Sequence, residues 1–110
     1  MTPSYWVEMT LSLVSGDHCC VEKLTELLDT RHEGELVYTF SRKTGLLSLG
    51  MSVRSDEIID VIPGKVVGMV RTACHELGWS TPGWPEPVGM KDVHIAAIDQ
   101  LSIKALAPAC

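Results

Sequence analysis

With 110 residues the chain is long enough for one hydrophobic core and too short for two. Folding at this size removes about two-thirds of the unfolded surface from water, so neither metal nor disulfides are required to hold it. Hydrophobic residues at 45% and charged residues at 21% exclude intrinsic disorder. Fourteen acidic against nine basic residues leave a formal charge of -5. That balance argues against nucleic-acid binding, whose affinity comes mostly from basic groups meeting phosphate.

The stretch from Met1 to Glu8 has no basic start, and Glu8 interrupts the only early apolar run, so no secretory signal is expected. No apolar run approaches bilayer length. The expectation is a cytoplasmic protein without a membrane partner. The cysteines agree with a reducing compartment. Cys19 and Cys20 are adjacent, Cys74 is isolated, Cys110 is last, and no Cys-x-x-Cys spacing occurs. Reduced thiols are expected rather than a disulfide framework or a zinc ribbon.

From Tyr5 to Val14, Tyr5, Val7, Met9, Leu11 and Leu13 alternate with Trp6, Glu8, Thr10 and Ser12, the period of a half-buried strand. Ser15-Gly16-Asp17 breaks it, and the Asp17 carboxylate can cap a following helix. Cys20, Leu24, Leu27 and Arg31 form a helical stripe flanked by Val21 and Leu28, with Glu22, Lys23 and Glu26 opposite and Gly34 as the stop. Leu36, Tyr38 and Phe40 then alternate with Val37, Thr39 and Ser41. The turn Arg42-Lys43-Thr44-Gly45 joins them to a second alternating run, Leu47, Leu49, Met51 and Val53 against Leu46, Ser48, Gly50 and Ser52. This pattern is a β-hairpin, with Gly45 placed to take a positive φ.

Ile59, Ile62, Val66, Met69, Val70, Ala73 and Leu77 predict a second helix with Gly78 at its C′ position. Its start is left open between Asp56 and Pro63, because proline is acceptable only in the first turn. Three prolines and two glycines make residues 79–89 a loop. Val93, Ile95 and Ala97 alternating with His94, Ala96 and Ile98 give a last strand. Residues 99–110 form a C-terminal extension read either as a short helix or as more strand, ending by Pro108.

The order β-α-β-β-α-β, with right-handed crossovers and a tight hairpin, predicts an α+β ferredoxin-like sandwich over residues 1–110. It has a four-stranded antiparallel sheet of order 4-1-3-2 and both helices on one face. In topology this resembles ACT domains, RNA-recognition motifs and dimeric α+β-barrel proteins. A fold shared so widely does not specify a function.

Several residue sets carry possible chemistry. The topology gathers His18, Cys19, Cys20, Cys74, His75 and His94 toward one end, where Cys20, Cys74 and His75 are conceivable zinc ligands. Their spacing fits no standard pattern and the cysteines border apolar stripes, so buried inert thiols are expected, with no metal and no cofactor. A redox pair at Cys19-Cys20 is conceivable, because a helix N-terminus lowers a thiol pKa. No phosphate loop, nucleophile elbow or paired-acid motif is present, so a non-catalytic chain is favoured.

The sheet face away from the helices would show Trp6, Glu8, Thr10, Ser12, Val37, Thr39, Ser41, Leu46, Ser48, Gly50, Ser52, His94, Ala96 and Ile98. Its single aromatic is too few for stacking RNA bases. A small, nearly uncharged, Ser/Thr-rich face suits contact with a second copy, with Gly50 permitting close approach. Trp6, Thr10, Thr39, Ser48, Gly50, Ser52 and His94 are its candidate binding residues. Trp79 and Trp84 are candidates on the loop, although Trp79 suits a core position beside the Gly78 cap. The expected function is protein interaction, as a homodimer that binds a larger partner. The alternatives are a small dimeric α+β-barrel enzyme with a pocket near His94 and an ACT-like small-molecule sensor.

Overall fold

The computed structural model describes residues 2–106, so Pro108 and Cys110 lie outside the described residues. The elements run β1 (Ser4–Val14), α1 (His18–Arg31), β2 (Leu36–Ser41), β3 (Leu46–Arg54), α2 (Ile62–Glu76) and β4 (His94–Ala105). The strands form one antiparallel sheet ordered β2-β3-β1-β4, which is the expected order read from its other edge. No helix among the described residues is long and apolar enough to cross a membrane.

β1 lies inside the sheet, and its alternation sets the core. Val7, Met9, Leu11 and Leu13 are buried on one face and join Leu47, Leu49, Met51 and Ile95 of the neighbouring strands. Val21, Leu24 and Leu28 of α1 and Ile62, Val66, Val70 and Ala73 of α2 complete the same cluster, so both helices cover that one face. Full burial of side chains this size is worth about 1.5–3 kcal/mol each, which makes this layer the main source of stability.

Helix ends follow their local chemistry. The Asp17 carboxylate accepts from the Cys20 N–H at 2.8 Å, the expected cap of α1. The buried stripe of α1 is centred on Val21, Leu24, Thr25 and Leu28 rather than on the expected row. Cys20 and Leu27 lie at its margin, and Arg31 is half-exposed in an ion pair with Glu76. α2 starts at Ile62 with Pro63 in the first turn, which settles the open boundary. Ile59 therefore precedes the helix and is exposed, not part of its apolar stripe.

At the other end of α2 the Gly78 N–H donates to His75 O at 3.1 Å and the Trp79 N–H to Cys74 O at 2.9 Å, a Schellman closure. Gly78 sits at φ +86, and Trp79 turns back into the core at 3% exposure.

β4 departs most from expectation. Residues 99–105, left ambiguous by sequence, continue the strand. Two register shifts against β1 each add one residue to β4, one near Ala96 and one near Gln100, which has φ 53. The first shift turns Ile98 toward the core opposite Leu11 and puts Ala97 opposite Ser12. Ile98 is thus a core-packed residue, not part of the open face.

A Cβ at position 78 would stand 2.7 Å from the Gly89 carbonyl oxygen in a left-handed backbone. Gly78→Ala is expected to lower stability by at least about 1–2 kcal/mol in urea unfolding. A loss below about 0.5 kcal/mol, the range of an unremarkable surface change, would contradict this cap.

Candidate functional site

Cross-strand partners share a sheet face, so the register assigns the uncovered side directly. Trp6 is opposite Ser52, Glu8 opposite Gly50, Thr10 opposite Ser48, and Thr39 opposite Ser48 from the other side. The candidates Trp6, Thr10, Thr39, Ser48, Gly50 and Ser52 therefore lie on one surface. Their polar groups are partly engaged. Thr10 Oγ1 donates to Gln100 Oε1 at 3.2 Å, and Ser52 Oγ accepts from the Glu35 N–H at 2.7 Å.

Gly50 has a use within the chain. A Cβ there would lie 2.5 Å from the Trp6 indole and 3.2 Å from Val37 Cγ2. The indole therefore rests over the Gly50 backbone, and its Nε1–H donates to Glu8 Oε1 at 2.8 Å. The space left by the missing side chain is filled by Trp6 of the same chain. Beside it Glu8, Val37, Thr39, Ser48 and Gly50 border an open depression of about 200 Å³.

The open face is also less neutral than the sequence suggested. The longer β4 adds Asp99 opposite Thr10 and Lys104 opposite Trp6. Exposed apolar groups remain at Val14, Val37 and Leu46.

His94 lies apart from this depression. It is opposite Val14, four residues farther along β1 than Thr10, or on the order of 13 Å. Its Nδ1 is 2.5 Å from Ser80 Oγ, and the Ile95 N–H donates to Ser80 O at 2.9 Å, so the loop before β4 is stitched to the strand start.

The second group, at the α1 start and α2 end, does not converge. Among the described residues no three His, Cys, Asp or Glu side chains are placed to hold a metal ion. The Cys74 side chain is buried in the core. His75 Nε2 is 3.2 Å from Pro85 O, with its ring 5.9 Å from Trp84. His18 stands edge-on to Phe40 at 5.2 Å. Burial pushes the Cys74 thiol up to about 12. Burial, aided by the Asp17 carboxylate, also raises the Cys20 thiol, whereas a helix N-terminus alone would lower it. Its partner Asp17 is held below the usual carboxylate range by the Cys20 N–H.

The loop candidates separate. Trp79 is a core residue, whereas Trp84 is 37% exposed. Arg71 Nη1 donates to Pro82 O at 3.0 Å, so Arg71 and His75 fasten the loop carbonyls to α2 and present Trp84 on a fixed base.

One feature had no clear sequence signal. A cavity of about 590 Å³ opens where α1 leads into β2, lined by Ser4, His32, Glu35, Ser52 and Arg54 among others. His32 Nε2 is buried there without a hydrogen-bond partner. Gly34, expected only as a helix stop, is required by packing, since a Cβ would fall 2.3 Å from Ser52 O.

The chain matches no family model, no curated protein and no solved structure. The roles of these residues rest on their own geometry.

Cys74 gives a test with a defined sign. Its folded-state value exceeds the ordinary 9.0, so its neutral thiol adds stability that is complete below about pH 9 and lost as pH rises toward about 12. The stability difference between the wild type and Cys74→Ala is expected to shrink across that interval. Native thiol labelling should modify exposed Cys19 and spare Cys74. Equal labelling of the two would contradict the buried placement.

Proposed function

We propose that the chain is a non-catalytic, ferredoxin-like interaction module. It self-associates through the open sheet face and in that form binds a larger protein partner. The observation that carries this reading is a sheet face that no helix among the described residues covers, on which exposed Val14, Val37 and Leu46 are interspersed with Ser12, Thr39 and Ser48. A two-fold contact uses the same patch on both copies, so its small neutral side chains meet their own kind without like-charge repulsion, Glu8 being the one acidic group on the interior strands of that face. Asp99 and Lys104 on the edge strand β4 form a charged margin, as at the rim of many interfaces, while Glu8 on the interior strand β1 accepts from the Trp6 indole N–H. Trp6, held over Gly50, is a rigid amphipathic anchor of the type that dominates binding energies. The ferredoxin-like assignment is supported by the β-α-β-β-α-β order and by the two helices sharing one core.

A second reading, a small-molecule sensor, is favoured by the cavity beside His32 and its unpartnered Nε2. On that reading His32→Ala abolishes thermal stabilisation by whichever metabolite shifts the wild type, while sheet-face substitutions leave it intact.

Val14→Glu and Leu46→Glu place charge on the proposed contact while leaving the core face untouched. Light scattering is expected to show association in the wild type, weakened by roughly tenfold or more in either variant, with unchanged circular dichroism. Equal association of all three proteins would overturn the face contact.

A further inference from the structure

The two edges of the sheet are built differently. β4 is the guarded edge. It has two register shifts, a left-handed Gln100, the charged residues Asp99 and Lys104, and Ser80 bridged to its start. Bulges, charges and covering loops are the usual ways of stopping an edge from pairing with another strand. β2 has none of these. Its six residues, Leu36 to Ser41, carry no charge and no proline, and pair with β3 without a register shift.

The phase of the β2–β3 ladder shows which groups are left over. The Ser52 N–H donates to Glu35 O at 3.0 Å, so residues 35, 37 and 39 direct their backbone groups at β3. The N–H and C=O of Leu36, Tyr38 and Phe40 therefore point out of the sheet, with no partner among the described residues. Tyr38, in the middle, is 42% exposed.

The flanks of β2 indicate what pairs there. Glu33-Gly34-Glu35 precedes the strand and Arg42-Lys43 follows it. If two β2 strands pair antiparallel about a two-fold axis at Tyr38, Leu36 meets Phe40 and Val37 meets Thr39 of the other copy. Glu33 then meets Lys43, and Glu35 meets Ser41. An acidic segment at one end and a basic one at the other suit this self-pairing, and the uncharged middle offers no repulsion. On the helix side Tyr38 borders a groove of about 260 Å³ between α1 and β2, with Glu26 and Asp29 on its other wall.

We infer that the exposed edge of β2 pairs antiparallel with β2 of a second copy, joining two four-stranded sheets into one of eight strands. This goes beyond the face contact proposed above and shares with it only the claim of self-association. The axis stands perpendicular to the sheet, so both open faces lie side by side and form one surface of double width. Edge and face contacts together would close as a tetramer with crossed two-fold axes.

Amide hydrogen exchange tests the pairing on the unmodified chain. Protection at Leu36, Tyr38 and Phe40 is expected to rise with protein concentration, while Val37 and Thr39 stay protected throughout. Tyr38→Pro removes only an outward N–H and suits an edge, so it is expected to weaken association by roughly tenfold or more while β2–β3 pairing persists. Tyr38→Lys, which sets two cations at the axis, serves the same purpose should the proline variant fail to fold. Lys43→Glu should weaken association, and adding Glu33→Lys should restore it. Concentration-independent exchange at the three outward amides, with association unaffected at Tyr38, would overturn the edge pairing. If association then still fails in Val14→Glu, the face contact stands alone. A monomer under every condition would overturn both.

Discussion

Val7, Met9, Leu11 and Leu13 face the helices from inside the sheet, Val7 and Leu11 paired with both β3 and β4, Met9 with β3 and Leu13 with β4. A one-residue slip of β1 would turn these four outward and bring Trp6, Glu8, Thr10 and Ser12 into the core. That register is the constraint on which the other elements depend. The apolar stripes of α1 and α2 have one place to go, and the polar half of β1 is committed to the side opposite the two helices. The shifts in β4 serve the same constraint. They keep Ile98 opposite Leu11 and Ile103 opposite Val7 while the strand makes up its extra residues.

The surfaces follow from this arrangement. Small and hydroxylated residues hold most of the open face, with Trp6 over Gly50, Glu8 bonded to its indole N–H, and Asp99 and Lys104 on the edge strand. Histidines that looked like reactive groups have structural partners. His94 is tied to Ser80, His75 to the Pro85 carbonyl, and His18 lies against Phe40. The thiols share that character, since burial raises both Cys20 and Cys74. The proposed contacts rest on three surfaces: the open sheet face, the β2 edge and the exposed Trp84 on its fastened loop.

Elements with a strong local signal were legible in the sequence. The Asp17 cap, the hairpin around Gly45 and the Gly78 terminus each depend on residues a few positions apart. The β4 shifts were not legible, because an inserted strand residue changes no composition and is defined only against its partner strand. That is why Ile98 was expected on the open face and Asp99 was not, whereas Lys104 was missed because the run after Ile98 reads as either helix or strand. The Trp6–Gly50 contact was likewise hidden, since it joins two strands 44 positions apart. The α1 stripe was displaced because Thr25 is buried with its hydroxyl donating to Glu22 O, a position that reads as polar by type.

The central claim is that the uncovered parts of this sheet exist for contact with another copy. Sedimentation equilibrium of the unmodified chain over a wide concentration range tests it most directly. The account predicts a mass that rises reversibly with concentration from 12.0 kDa toward whole multiples of that value. A single species at 12.0 kDa throughout would contradict it.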